Sequence, residues 1–205
     1  STPKPSSAAS DVYKRQGVSK LNTEILNSVE ALLFGSGRPM RLSEIKNTLE
    51  NTGLVTELSE IKQAINNLEE RYLNTSLEVQ EVASGFRLQI KQKHSASLSI
   101  LWNEKSPRVS KALMETISII AYKQPVTRGD IEDIRGITVS TRIIRSLLER
   151  NWVKVSGHKD VPGRPALYVT TKDFLNDLNL KNISDLPELP EREEVEEKNL
   201  LTQAV

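Results

Sequence analysis

The chain has no cysteine among its 205 residues. That excludes disulfide frameworks, thiolate metal sites and a cysteine nucleophile, and it agrees with a reducing compartment. Aromatic residues make up only 4%, too few to favour an aromatic-lined ligand pocket. The two histidines, His94 and His158, lie far apart, with no paired carboxylate nearby at ligand spacing. Both read as surface or loop residues, and no metal is expected. No apolar run approaches the roughly 20 residues that span a bilayer, and no signal-peptide core follows the N-terminus. A cytoplasmic protein without membrane contact is therefore expected. No serine occupies a nucleophile elbow and no glycine pattern matches a phosphate-binding loop, so the residues suggest neither catalysis nor a cofactor.

What is present is an ordinary globular composition, 37% hydrophobic and 27% charged. The length suits two domains of about 80 residues, each near the lower limit for an independent core. A formal net charge of +1 hides an uneven distribution: +2 over residues 1–19, −1 over 20–105, +4 over 106–180 and −4 over 181–205. Only the third segment leans toward phosphate, and mildly, so any DNA contact is expected to be weak or indirect.

Residues 1–19 are rich in Ser, Pro and Ala and lack periodicity; they read as disordered and as a candidate non-native leader. From Leu21 the apolar residues Leu21, Ile25, Leu26, Val29, Leu32 and Leu33 recur at helical spacing until Gly35 and Gly37. Ser43 is expected to cap a short second helix ending near Gly53. Leu58, Ile61, Ile65, Leu68 and Tyr72 then mark the apolar stripe of a third. LEVQEV and FRLQIK around Ser84 and Gly85 carry a hairpin signal. Three helices and a hairpin make a winged helix, assigned to residues 20–93, with a connecting segment over 94–105.

The same order then restarts over 106–180. Ser106 with Pro107 signals a helix start, and Val109, Ala112, Leu113, Thr116, Ile117, Ile120 and Ala121 give its apolar face. Thr127 and Asp130 have capping-box spacing and open a short helix stopping at Gly136. Thr138 is expected to cap the third helix, whose buried stripe reads as Val139, Ile143, Leu147 and Leu148. Strands near 153–156 and 166–170 flank a Gly- and Pro-rich loop, and Thr170 with Asp173 caps a last short helix. Residues 181–205 read as an acidic, disordered tail. The expected fold class is helix-rich α+β, with two tandem winged-helix domains made of a helix-turn-helix and a β-wing.

The second half contains AYKQPVTR, IRG and PGRPALYVTT, and in this combination it resembles the segregation and condensation protein B family. The likeness spans roughly residues 20–180 and is densest from 112 to 180. It implies a non-catalytic homodimer without cofactors. This dimer would bind a kleisin subunit, and through it structural-maintenance-of-chromosomes ATPases that compact and segregate DNA, so that the protein would associate with the nucleoid through the complex.

Candidate site residues follow from the residues themselves. The apolar positions Leu21, Ile25, Leu26, Val29, Leu32 and Leu33 exceed what a small three-helix core requires, which points to a dimer formed through the first domain. Tyr122, Gln124 and Arg128 in AYKQPVTR, with Arg164 and Tyr168 in PGRPALYVTT, read either as internal braces or as a preorganised partner contact. Arg142 and Arg145 on the third helix of the second half, with Lys159 in its wing, are where a DNA-reading winged helix would meet phosphates or bases. Glu57, Glu60, Glu69 and Glu70 on the corresponding helix of the first half would repel DNA. A winged-helix transcription regulator is the alternative reading, and an enzyme accessory domain a third.

Overall fold

The structure, a computed structural model, describes residues 22–102 and 109–189. The expectations for 1–19, for Leu21, for Ser106 and Pro107, and for the tail from 190 onward lie outside the described residues.

The first half opens with helix α1, residues 22–35. Ile25, Val29 and Leu33 are one turn apart and fall on one side of it, which is fully buried. Helix α2, Leu42–Asn51, contributes Ile45 and Leu49 to the same core. Its cap position is Arg41, without a side-chain bond, so Ser43, expected there, lies inside the first turn. The preceding residue decides this. Met40 pairs through its backbone with Phe86 of the hairpin, which keeps the chain extended up to the helix start.

Helix α3, Leu58–Tyr72, begins with a reciprocal capping box in which Glu57 N donates to Glu60 at 2.8 Å. Ile61, Ala64, Ile65, Leu68 and Tyr72 are buried, while Leu58, at the first helical position, stays exposed. Strands β1, Leu77–Val82, and β2, Gly85–Ile90, pair antiparallel across the two-residue turn Ala83–Ser84. The connecting stretch is helical as α4, Ser95–Trp102.

The second half repeats the order. Helix α5, Lys111–Lys123, is capped by Ser110, whose hydroxyl accepts from Leu113 N, and it buries Leu113, Thr116, Ile117, Ile120 and Ala121. Helix α6, Arg128–Arg135, has the Thr127–Asp130 capping box and ends at left-handed Gly136. Helix α7, Thr141–Glu149, is capped by Ser140 rather than Thr138, because Val139 is itself drawn into the core. That shift turns the helix. Ile144 and Leu147 face inward, Ile143 is half-buried and Leu148 is exposed.

Strands β3, Val153–His158, and β4, Ala166–Thr170, pair antiparallel with an irregularity between Val155 and Gly157. Val126, between α5 and α6, bridges to Tyr168 as Met40 bridges to Phe86 in the first half. Helix α8, Lys172–Asp177, is capped by Thr171, one residue after the expected Thr170.

Each half therefore runs through three helices into a hairpin, with one extra extended residue hydrogen-bonded to that hairpin, and α8 follows the second hairpin. The two buried clusters share no residue: one is built around Ile25, Ile45, Ile61 and Leu68, the other around Ile117, Ile131, Leu147 and Phe174. The chain is helix-rich α+β with two small two-stranded sheets. No described helix is long and apolar enough to cross a membrane.

Candidate partner-binding surfaces

The residues proposed from sequence for partner contact divide once they are placed. Gln124 closes α5 and turns back on its own hairpin, its Oε1 accepting from Thr170 N at 2.6 Å and from Thr170 Oγ1 at 2.9 Å. Tyr168 bridges to Val126 and packs against the second core. Tyr122 donates its hydroxyl to the carbonyl of Pro187, tying α5 to the chain beyond α8. Arg128 donates to Glu132 at 3.0 Å, to Thr141 Oγ1 at 3.3 Å and to the Val139 carbonyl, bracing the turn from α6 to α7. Four of the five thus act as internal braces. Arg164 is exposed, at a positive φ of 39°, and unlike the equally exposed Arg128 its side chain forms no hydrogen bond or ion pair among the described residues.

The brace around α6 is also electrostatic. Asp130 accepts from Thr127 N at 2.8 Å and from Lys159 Nζ at 3.1 Å. The Thr127 amide first, with its hydroxyl and the Lys159 ammonium, holds the Asp130 carboxyl below the usual carboxylate range. Glu132 accepts from Val139 N at 2.8 Å and from Arg128, and these bonds depress its pKa in the same way.

Lys159 is thereby engaged within its own half of the chain. Arg150 is engaged too, stacked 5.4 Å from the ring centre of Trp152. Arg142 and Arg145 remain exposed on α7 without an ion pair among the described residues. They are the free cations of that helix.

In the first half, Ile25, Val29 and Leu33 are 1%, 0% and 2% exposed in their own core, so they offer no surface to a second copy. Leu26 and Leu32 are half-buried against it. Among the described residues of this half, the large apolar side chains left in water are Phe34, 73% exposed at the end of α1, with Val55, Leu58, Leu73 and Ile90. Glu30 on the flank of α1 accepts from Tyr72 and from Arg71 at 2.6 Å. Burial and the Glu30 carboxylate push the Tyr72 phenol up to about 12.

Sequence periodicity did not single out one further surface. Lys111, Met114, Glu115, Ser118 and Ile119 lie along the outward side of α5 and, with Arg135, line an open groove of about 550 Å³. Met114 is exposed, as are Ile134 and Ile137 beside Arg135 in sequence. Apolar residues on both sides of one helix blur the stripe, which is why the pattern gave only the inner face. Nothing in these surfaces gathers reactive groups: among the described residues no three His, Cys, Asp or Glu side chains converge as a metal site. The arrangement presents apolar patches and isolated arginines on two small braced cores.

The family model described as segregation and condensation complex subunit ScpB matches residues 27–189. The chain is 43% identical over 164 residues to a segregation and condensation protein B homolog of Coxiella burnetii, covering 80% of this chain and 77% of that one. It is 39% identical over 154 residues to segregation and condensation protein B of Clostridium tetani, covering 75% and 79%. Among solved structures it is similar, at 29% identity and a TM-score of 0.34, to the dimer of the ScpB N-terminal domain complexed with ScpA peptide, over 38% of this chain and 95% of that one.

Proposed function

Because the chain belongs to the segregation and condensation complex subunit ScpB family, we propose that it is a non-catalytic, homodimeric subunit of a bacterial condensin complex that binds the kleisin. It acts as two tandem winged-helix domains, residues 20–93 and 106–180, joined by the segment 94–105. The observation that carries this reading is that the family match runs through both halves, each of which runs through three helices into a hairpin tied back to the loop before its second helix. The structural-maintenance-of-chromosomes ATPase is reached through the kleisin, and the protein joins the nucleoid that way.

Its mechanism is binding. The first domain self-associates through apolar side chains its own core leaves over, namely Phe34 with the half-buried Leu26 and Leu32. Exposed apolar residues on α5 and α6 supply contact area for kleisin side chains, and Arg164 supplies orientation. DNA is touched weakly or indirectly, since of the three residues expected to meet it Arg142 and Arg145 are exposed without an ion pair among the described residues, whereas Lys159 is held by Asp130.

Co-expression with a kleisin and a structural-maintenance-of-chromosomes ATPase from the same organism, followed by purification and light scattering, tests the reading. A stable complex containing a kleisin and two copies of this chain is expected, and Phe34→Glu is expected to release monomers with an unchanged folded spectrum. Recovery of a specific operator with nanomolar, salt-sensitive affinity and no kleisin would replace it with the transcription-regulator reading.

A further inference from the structure

The two cores share no residue, yet among the described residues the halves touch where the turn of the first hairpin meets the end of α8. Asn176 is the centre of it. It is 7% exposed although polar, and a buried amide is tolerated only when its groups are bonded. Both are bonded across the boundary. Asn176 Oδ1 accepts from Ser84 N at 3.1 Å, and Asn176 Nδ2 donates to Ser84 Oγ at 2.9 Å. Around this pair, Ala83 N donates to the Leu180 carbonyl at 2.9 Å. Arg87 Nη2 donates to the Asn176 carbonyl at 3.1 Å and to the Asn179 side chain. At the rim, Lys181 pairs with Glu81, which raises the Lys181 pKa.

Each side of this contact is rigidly presented. Gly85 follows Ser84 at φ 133°, and a Cβ there would stand 2.2 Å from the Met40 carbonyl oxygen. The turn is thus pressed onto the first core, and Ser84 has a fixed position. On the other side Phe174 anchors α8 in the second core two residues before Asn176. Asn179 has a positive φ of 58°, a conformation Asn tolerates better than most residues, and its side chain meets Arg87.

We propose that this contact is a polar latch, with Asn176 as its key and the Ser84 turn as its keyhole, that fixes the orientation of the first half relative to the second. Reciprocal hydrogen bonds read one register and one angle, whereas an apolar contact would permit sliding. A latch held mainly by polar bonds also opens without exposing a greasy face, so the docked arrangement can be released and regained. The inference concerns the chain's own geometry and stands independently of the kleisin reading. Under that reading, the latch sets the spacing between the surfaces the two halves present to one partner.

The chain's lack of cysteine allows a direct test. Spin labels are placed at two exposed positions, Asn66→Cys on α3 and Lys154→Cys on β3, and the labelled chain is diluted into unlabelled chain so that only intramolecular distances register. A single narrow distance is expected for the otherwise native chain. That narrow peak is expected to be lost in the combined Asn176→Ala and Arg87→Ala variant, whose amide spectra retain both folded halves. If the double variant disturbs either half, Lys181→Glu, outside both cores, repeats the measurement with the same expected direction. A broad distribution in the native background overturns the proposal. So does a narrow peak that the variants leave unchanged.

Discussion

Thr127 and Asp130 show how much of the second half depends on a few side-chain bonds. Thr127 Oγ1 accepts from Asp130 N, and Asp130 returns a carboxylate oxygen to Thr127 N. Two amides at the start of α6 that have no helical partner are thereby satisfied. Thr127→Ala is expected to lower the stability of this half by about 1 kcal/mol, measured by urea denaturation followed by circular dichroism. Acid should act through the same residue. The folded-state pKa values of Asp130 and Glu132 lie below their ordinary values. The stability they contribute is therefore complete above the ordinary carboxylate range and is lost as pH falls through the depressed values. Asp130→Asn is expected to be less stable than the native chain at neutral pH and to converge with it in acid. Parallel melting curves across that range would refute the role given to this carboxylate.

At the scale of elements, the extra residue that pairs with each hairpin determines where that hairpin sits. Met40 and Phe86 exchange both backbone bonds at 2.8 Å, and Gly85 passes so close to Met40 that no side chain fits. Gly85→Ala combines an unfavourable φ with a steric overlap. It is expected to destabilise the first half by about 3 kcal/mol or more, beyond the usual cost of one strained residue, while Gly53→Ala, also at positive φ but with open space around it, should cost less. Thermal melts of the two variants separate overlap from strain. The order of helices and hairpins was legible in the sequence because burial periodicity and turn glycines are local signals. The caps expected at Ser43, Thr138 and Thr170 stand instead at Arg41, Ser140 and Thr171. In the first two cases a tertiary demand moved the boundary: the Met40 bridge and the burial of Val139. The candidate sites were harder to read for the same reason. Gln124, Tyr168 and Arg128 look like recognition residues in a one-dimensional pattern, but their partners Thr170, Val126 and Val139 become neighbours only after folding. No local signal marked Asn176, whose partner Ser84 lies 92 residues away.

For the whole molecule, two cores joined by a polar contact imply two cooperative units rather than one. Leu147 is wholly buried in the second core and is no part of the first. Leu147→Ala removes its packing and leaves a cavity, a loss of about 2–5 kcal/mol. Calorimetry of the native chain is expected to show two unfolding transitions, and the variant should lower only one of them. The other transition carries a separate signature. If the first half is the dimerising one, its midpoint rises with protein concentration by mass action, because only the folded form associates. The transition insensitive to Leu147→Ala should therefore be the one sensitive to concentration. A single transition that moves as a whole in both experiments would mean that the contact around Asn176 couples the halves more strongly than its polar chemistry permits, and the division into two separately folding units would then fail.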